Sequence, residues 1–222
     1  MKIIWLGHSG FRIEIGGEVL LVDPWLDGNP MFPEDRRDEA IAGTTHIFLT
    51  HGHGDHAAGA LEIAEDTGAP IGCIHEMATR WDAVGFGKGG TLQVGDVSVT
   101  MVNATHSSSL DFDGMDVAGS EAGFMIRGEG RTIYVSGDTD IMADMSWFGE
   151  YHAPDIGILC CGGHYTMDQK AAAWAAKKYF DFKVVIPCHY KTFPLLAQDA
   201  EILKAELGGI VHEPEILVPI EL

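Results

Sequence analysis

Thr50-His51-Gly52-His53-Gly54-Asp55-His56 places four side chains able to bind a metal within six residues. Glycines 52 and 54 let the backbone turn tightly and bring the imidazoles together. The apolar run His46-Ile47-Phe48-Leu49 in front of the cluster predicts a buried strand over 45–50. Behind it, residues 56–66 read as a helix with Asp55 as N-cap. The candidate ligands therefore sit on a strand-to-helix turn, at the carboxyl end of a strand. Open α/β sheets place their sites there.

His51 and His53 alternate with glycine and can clamp one ion, while Asp55 and His56 can clamp a second. Imidazole and carboxylate suit zinc, manganese or iron. A solvated His-rich turn is the bland alternative, but such tracts rarely sit on a strand-turn-helix frame. One turn cannot complete two sites, so more ligands must come from elsewhere in the chain.

The chain supplies them at successive strand ends. Thr91 to Val94 and Val97 to Val102 read as strands, and the second delivers His106. Strands 122–127 and 131–135 end at Ser136-Gly137-Asp138-Thr139. Asp138 can cap a helix over 140–149 or bridge two metals, since a close pair of dications needs an anion between them. Strand 183–187 ends at Pro187-Cys188-His189-Tyr190. Gly162-Gly163-His164-Tyr165 follows the buried run Asp155 to Cys160, and His164 and Tyr165 read as pocket-lining, substrate-binding residues. His8 lies on the turn after the first strand and reads as a further substrate-side residue, with Asp23 of similar rank.

Other elements fill the frame. Residues 2–6, 11–15 and 19–22 read as strands, with a hairpin at Gly16-Gly17. A strand over 70–74, helices over 76–83, 169–180 and 195–207, and a terminal strand near 215–219 complete it. Asp168 reads as the cap of helix 169–180. Gly85 to Gly90 reads as a mobile loop near the site, and Ser107 to Ala118 as a polar loop bordering a pocket. Gly10-Phe11-x-Ile13, Gly17 and Val22 recur at a constant offset of 113 as Gly123-Phe124-x-Ile126, Gly130 and Val135. The echo implies two similar halves packed sheet to sheet.

The bulk numbers bound the function. A chain of 222 residues with 46% hydrophobic content can bury a substantial core, and it reads as one domain spanning 1–222. Its apolar runs are shorter than the ~18–20 residues that span a bilayer, and its start is too short for a secretory signal. The expectation is a cytoplasmic protein with no membrane partner. A net charge of −19 repels phosphate backbones and argues against nucleic acid, but it leaves room for a small-molecule substrate at a metal centre. Cys73, Cys160, Cys161 and Cys188 show no CxxC spacing and read as buried small hydrophobes. Cys188 alone, next to His189, invites a ligand role.

His51-x-His53-x-Asp55-His56, then His106, Asp138 and His189, resembles the metallo-β-lactamase superfamily over the whole chain. The segments Trp5-Leu6-Gly7-His8-Ser9-Gly10-Phe11, Gly162 to Asp168 and His189-Tyr190-Lys191-Thr192-Phe193-Pro194 are similar to a bacterial and archaeal branch of metal-dependent hydrolases near ascorbate-6-phosphate lactonase. Lys191 stands where many relatives have glycine. The resemblance implies an α/β fold, an αββα sandwich of two mixed β-sheets flanked by helices. It implies that His51, His53 and His106 bind one divalent ion, zinc first and manganese next. Asp55, His56 and His189 would bind a second, with Asp138 bridging and a bridging hydroxide as nucleophile. Asp55 would also be catalytic, orienting the nucleophile or passing a proton to the leaving group. Relatives often assemble, so a homo-oligomer is expected.

The leading expectation is a hydrolase of a small ester or lactone, with a phosphodiesterase or nuclease on the same metals as the alternative. A diiron oxidoreductase would carry a carboxylate where His53 stands and usually a flavin domain. A non-catalytic metal-binding protein would not need a complete ligand set.

Overall fold

The computed structural model describes residues 1–114 and 117–222. Its first sheet begins with an antiparallel meander of β1 (Lys2–Gly7), β2 (Gly10–Ile15) and β3 (Glu18–Val22). In β2, Phe11, Ile13 and Ile15 are buried while Arg12 and Glu14 face outward, the period-two alternation of a strand covered on one side. The chain then passes through α1 (Arg37–Ile41) to β4 (His46–Phe48), α2 (Gly54–Ala57) and α3 (Ala60–Thr67). β5 (Ile71–Ile74), α4 (His75–Trp81) and β6 (Val84–Phe86) follow. β3 to β6 pair in parallel.

The second sheet repeats the plan. β7 (Thr91–Val94), β8 (Val97–Asn103), β9 (Ala122–Gly128) and β10 (Arg131–Val135) pair antiparallel. α5 (Met145–Trp147) leads to β11 (Ile156–Cys160), then α6 (Gln169–Tyr179) to β12 (Val184–Cys188), and β10 to β12 run parallel. β11 and β12 are buried at every position, as strands covered on both faces must be. α7 (Glu201–Leu207) and β13 (Pro219–Glu221), which pairs with β1, end the chain.

The sheet orders are β13-β1-β2-β3-β4-β5-β6 and β12-β11-β10-β9-β8-β7. The series β1 to β5 and β8 to β12 therefore share one pattern: antiparallel, antiparallel, parallel, parallel. The 113-residue echo falls on the matching hairpins β2–β3 and β9–β10. Those hairpins touch at corresponding turns, where Gly16 N donates to Glu129 Oε1 at 2.8 Å. One hydrophobic core runs between the sheets, with the Phe48 and Phe124 rings 5.7 Å apart across it.

The structure redraws several predicted elements. The helix expected over 56–66 breaks at Ala58 and Gly59, the latter at φ 82°. Asp55 does not cap it: His53 holds the N-cap position, and the Asp55 carboxylate turns to other partners. The helix expected over 140–149 is only a turn from Met145, continued by a π-helical turn over Phe148–His152. Thr139 Oγ1 ties the intervening segment back by accepting from Thr105 N. The helix expected from 195 begins at Glu201, because Ala197 N donates to Gly162 O and Lys191 N to Ala197 O. Gly85 and Phe86 extend the first sheet as part of β6, and Gly89 N donates to Met101 O, so that segment is a pinned edge. Asp168 caps α6 as expected, accepting from Ala171 N. Residues 115 and 116 of the expected polar loop lie outside the described residues.

Candidate metal centre

Every predicted ligand follows the carboxyl end of a strand. His51, His53, Asp55 and His56 follow β4, His106 follows β8, Asp138 follows β10 and His189 directly follows β12. Strand ends of both halves meet at one edge of the sandwich, so Asp55 and His189, 134 positions apart, come within 3.9 Å at Oδ2 and Nε2. Backbone strain gathers there as well. His8, Asp23, His164, His189 and Lys191 all have φ between 47° and 67°. Non-glycine residues rarely adopt that region. Lys191, at φ 67°, occupies a conformation natural to glycine, which explains why glycine is expected there.

The side chains converge in overlapping groups. One ligand atom each from His51, His53 and His106 lies within 4.8 Å of the others, as do atoms from His8, Asp55, His56 and His189, and from His51, His56 and Asp138. Two glycines permit this. A Cβ on Gly52 would sit 2.6 Å from Ser109 O, and one on Gly162 would collide with His189 O.

Asp23, 1% exposed, sets the tautomers. Its Oδ2 lies 2.8 Å from His56 Nδ1 and 2.6 Å from Thr50 Oγ1, while Oδ1 accepts from Thr50 N. Thr50 donates to Asp23, so its oxygen accepts from His51 Nδ1 at 3.0 Å. Nε2 of both imidazoles thus faces the centre. His51 Nε2 lies 3.0 Å from His53 Nδ1, and His56 Nε2 lies 3.3 Å from Asp138 Oδ2. A carboxylate behind a ligating histidine is a recurring device of metal sites.

Electrostatics keep these groups in ligating form. Burial, with neighbouring His56, holds His51 well below the usual imidazole range, and burial also lowers His106. Burial alone would raise Asp138, but His189 and His56 outweigh it and hold the carboxyl well below its usual range. Asp55 is likewise lowered against the effect of burial, by His56 and by the hydrogen bond from His8. His56 goes the other way: despite the opposing cost of burial, Asp138, Asp23 and Asp55 raise it well above the usual value.

The donor set fits a divalent ion. Asp138 Oδ1 is buried without a hydrogen-bond partner, and the fully covered His56 Nε2 has only Asp138 Oδ2, at 3.3 Å, beside it. Buried polar atoms are nearly always satisfied, so an unsatisfied carboxylate oxygen among convergent imidazoles fits the binding of a metal ion. The donors are nitrogen and oxygen. Cys188, beside His189, is buried and belongs to none of the convergent groups.

A cleft of about 620 Å³ opens over this centre, lined by His53, Asp55, His106, Ser107, Asp138 and His189, and by Tyr165 and Phe193-Pro194-Leu195. Tyr165 thus borders the cleft, whereas His164 is exposed outside its lining and packs edge-on against Tyr165. His8 is fully buried and does not line the cleft; it lies behind Asp55, His189 and Phe193, which do. Sequence reasoning gave Thr50, Thr192 and the Phe193–Leu195 wall no role. Short polar side chains carry no ligand signature of their own, and of the wall only Leu195 falls in the helix expected over 195–207.

Two mixed sheets with a His/Asp centre at their shared edge define a metal-dependent hydrolase of the metallo-β-lactamase fold. The chain belongs to that superfamily: the family described as "Beta-lactamase superfamily domain" matches residues 19–190. It is 65% identical over its full length to a "UPF0173 metal-dependent hydrolase" of Paracoccus denitrificans, which it also covers completely. Its fold matches that of Igni18, a metallo hydrolase from the archaeon Ignicoccus hospitalis, with a TM-score of 0.86 and 32% identity, covering 100% of this chain and 98% of that one. An isothiocyanate hydrolase from Delia radicum gut bacteria shares the fold at TM-score 0.77 and 19% identity, covering 100% and 99%. Among the described residues no helix is long and apolar enough to cross a membrane.

Proposed function

We propose that the protein hydrolyses a small ester or lactone with two divalent ions. Asp138 carries this reading. Its Oδ2 lies 3.0 Å from His189 Nε2, 3.3 Å from His56 Nε2 and 3.7 Å from His106 Nε2. One carboxylate thus faces imidazoles of both groups, as the anion between two close cations must. On this reading His51, His53 and His106 hold one ion, Asp55, His56 and His189 the other, and Asp138 serves both. Zinc is the first candidate and manganese the next, because the donors are imidazole nitrogen and carboxylate oxygen. When bound, such ions bring the pKa of a water from ~15.7 toward ~7 and polarise the substrate oxygen.

The chain's own residues do the rest. The cleft volume suits a small molecule rather than a polymer. Water oxygen joins the acyl carbon, the bond from that carbon to the alkoxy oxygen breaks, and acid and alcohol form. Asp55, kept ionised and 28% exposed at its side chain, takes the water's proton and delivers it to the departing alkoxide.

Elemental analysis of freshly purified protein, joined to assays of His53→Ala at saturating metal, tests the proposal. About two ions per chain and lost ester or lactone turnover in the variant are expected. Unchanged turnover in the variant would sink the assignment. Turnover of phosphodiesters alone would keep the site and make the protein a phosphodiesterase.

A further inference from the structure

The cleft's walls say more about the substrate than its floor does. Among the described residues, no lysine or arginine lines it. Residues 115 and 116, outside that description, are Met and Asp. The cation nearest in sequence to a predicted ligand is Lys191, two residues after His189. Its Nζ is committed to Glu213 Oε1 at 2.7 Å, and Glu213 is shared with Lys204. Lys88 donates to Asn103 Oδ1, which does not line the cleft. Beside the opening, the Glu121 carboxylate accepts from His106 N at 2.9 Å.

In place of cations the cleft carries a fixed apolar wall. Phe193, Pro194 and Leu195 span an excursion pinched shut at its base, where Lys191 N donates to Ala197 O and Ala197 N donates to Gly162 O, both at 2.8 Å. Gln198 Nε2 braces it from below by donating to Phe193 O and Leu196 O. The Phe193 ring packs 6.1 Å from Trp25 and 5.4 Å from His8. Leu195, 60% exposed, projects from this rigid base, and Tyr165 is 51% exposed. A large exposed leucine on a braced loop beside a metal centre is a surface shaped to receive apolar groups.

We infer that the substrate is a neutral ester or lactone bearing an apolar tail that lies along Phe193-Pro194-Leu195, and that it carries no phosphate. The inference rests on the ester or lactone reading above. The carbonyl sits at the metal centre and the tail runs over Leu195. A phosphorylated tail would meet no cation among the described residues there and would enter the field of a chain carrying a net charge of −19, which repels it.

The test uses metal-loaded protein and matched probes. One series is p-nitrophenyl acetate, butyrate and hexanoate. The other is γ-lactones with alkyl tails, each with a counterpart whose tail ends in a phosphate monoester. The expected kcat/KM rises about two- to fourfold per methylene along the neutral series. Phosphorylated counterparts should fall at least about tenfold below their neutral partners. Leu195→Ala should flatten the chain-length series, and Leu195→Lys should improve the phosphorylated-to-neutral ratio about fivefold or more. A flat wild-type series, or phosphorylated probes turned over as well as neutral ones, would overturn the inference while leaving the hydrolase reading intact. No turnover of any ester or lactone by protein holding two ions would instead overturn the reading beneath it.

Discussion

His8 Nε2 lies 3.0 Å from Asp55 Oδ2, and the two residues belong to different strand ends of the first sheet. Burial pushes His8 down to about 4, so its imidazole is neutral at pH 7. A neutral ring facing an ionised carboxylate donates from Nε2, which makes Nδ1 the acceptor for Thr192 Oγ1 at 2.8 Å. The order is thus Thr192 to His8 to Asp55. His189 N also donates to His8 O at 3.0 Å, so one residue fixes two predicted ligands. His8→Ala is expected to weaken the ion held by Asp55, His56 and His189 about 10- to 100-fold, the usual cost of losing a ligand's supporting partner. The ion at His51, His53 and His106 should bind as before. His8→Gln, which keeps a donor, should recover part of the loss. Competition with a chromophoric chelator reads both ions separately, and equal weakening of the two would refute a local role.

Asp23 has a wider reach. It supports His56 directly and His51 through Thr50, and the proposal above assigns these two histidines to different ions. Asp23→Ala should therefore weaken both ions, each about tenfold or more. The same chelator competition checks this. Loss confined to one ion would show that Thr50 holds His51 unaided.

The contrast between His8 and Asp23 shows how much of the site was legible in the sequence. Histidines and carboxylates behind apolar strands carry a metal-ligand signature, so the residues that converge at the centre could be picked out from the sequence. The hairpin echo likewise foretold the matching halves, because strand alternation is a local pattern. What supports the ligands was less visible. Thr50 and Thr192 act through contacts made only after folding, and His8 meets Thr192 across 184 positions. The wall at Phe193–Leu195 escaped for a related reason. Leu195 falls at the start of an expected helix and Phe193-Pro194 carry no chemical signature, but backbone bonds to Gly162 and Lys191 hold the segment in an irregular turn. Asp55 and Asp138 looked like helix caps for the same local reason, until partners from other strands claimed their carboxylates.

Gly52 carries a prediction about stability. Its Cβ-free backbone lets Ser109 O and the Ala118 methyl approach the ligand turn, and Gly52 N donates to Ser108 Oγ at 3.1 Å. Gly52→Ala must displace one of these segments and should cost about 1–3 kcal/mol, as overpacking of a close contact does. Gly87→Ala is the control, since a Cβ there meets open space and should change stability by less than about 0.5 kcal/mol. Urea denaturation of the two variants compares them. Equal midpoints would mean that the ligand turn has slack.

Metal binding should release a proton, and His56 is its source. In the metal-free protein Asp138, Asp23 and Asp55 outweigh burial and raise it well above the usual 6.5, which favours the imidazolium near neutrality. An ion taking Nε2 must displace that proton, so about one proton is released per chain, and affinity falls as pH drops. The stability sign follows. A raised histidine stabilises the metal-free fold fully below about 6.5, and the contribution is lost as pH rises through the folded value. Asp55 and Asp138 have lowered values, so their contributions persist above the ordinary carboxylate range and do not titrate near neutrality. His51 and His106 are lowered and already neutral there. The gap in Tm between zinc-loaded and metal-free protein is therefore expected to widen from pH 6 to 8.5. Calorimetric titration of zinc in buffers of different ionisation enthalpy counts the proton directly. A buffer-independent heat at pH 7.5, with a constant Tm gap, would mean that His56 already stands neutral and that Asp23 and Asp138 do not hold its proton.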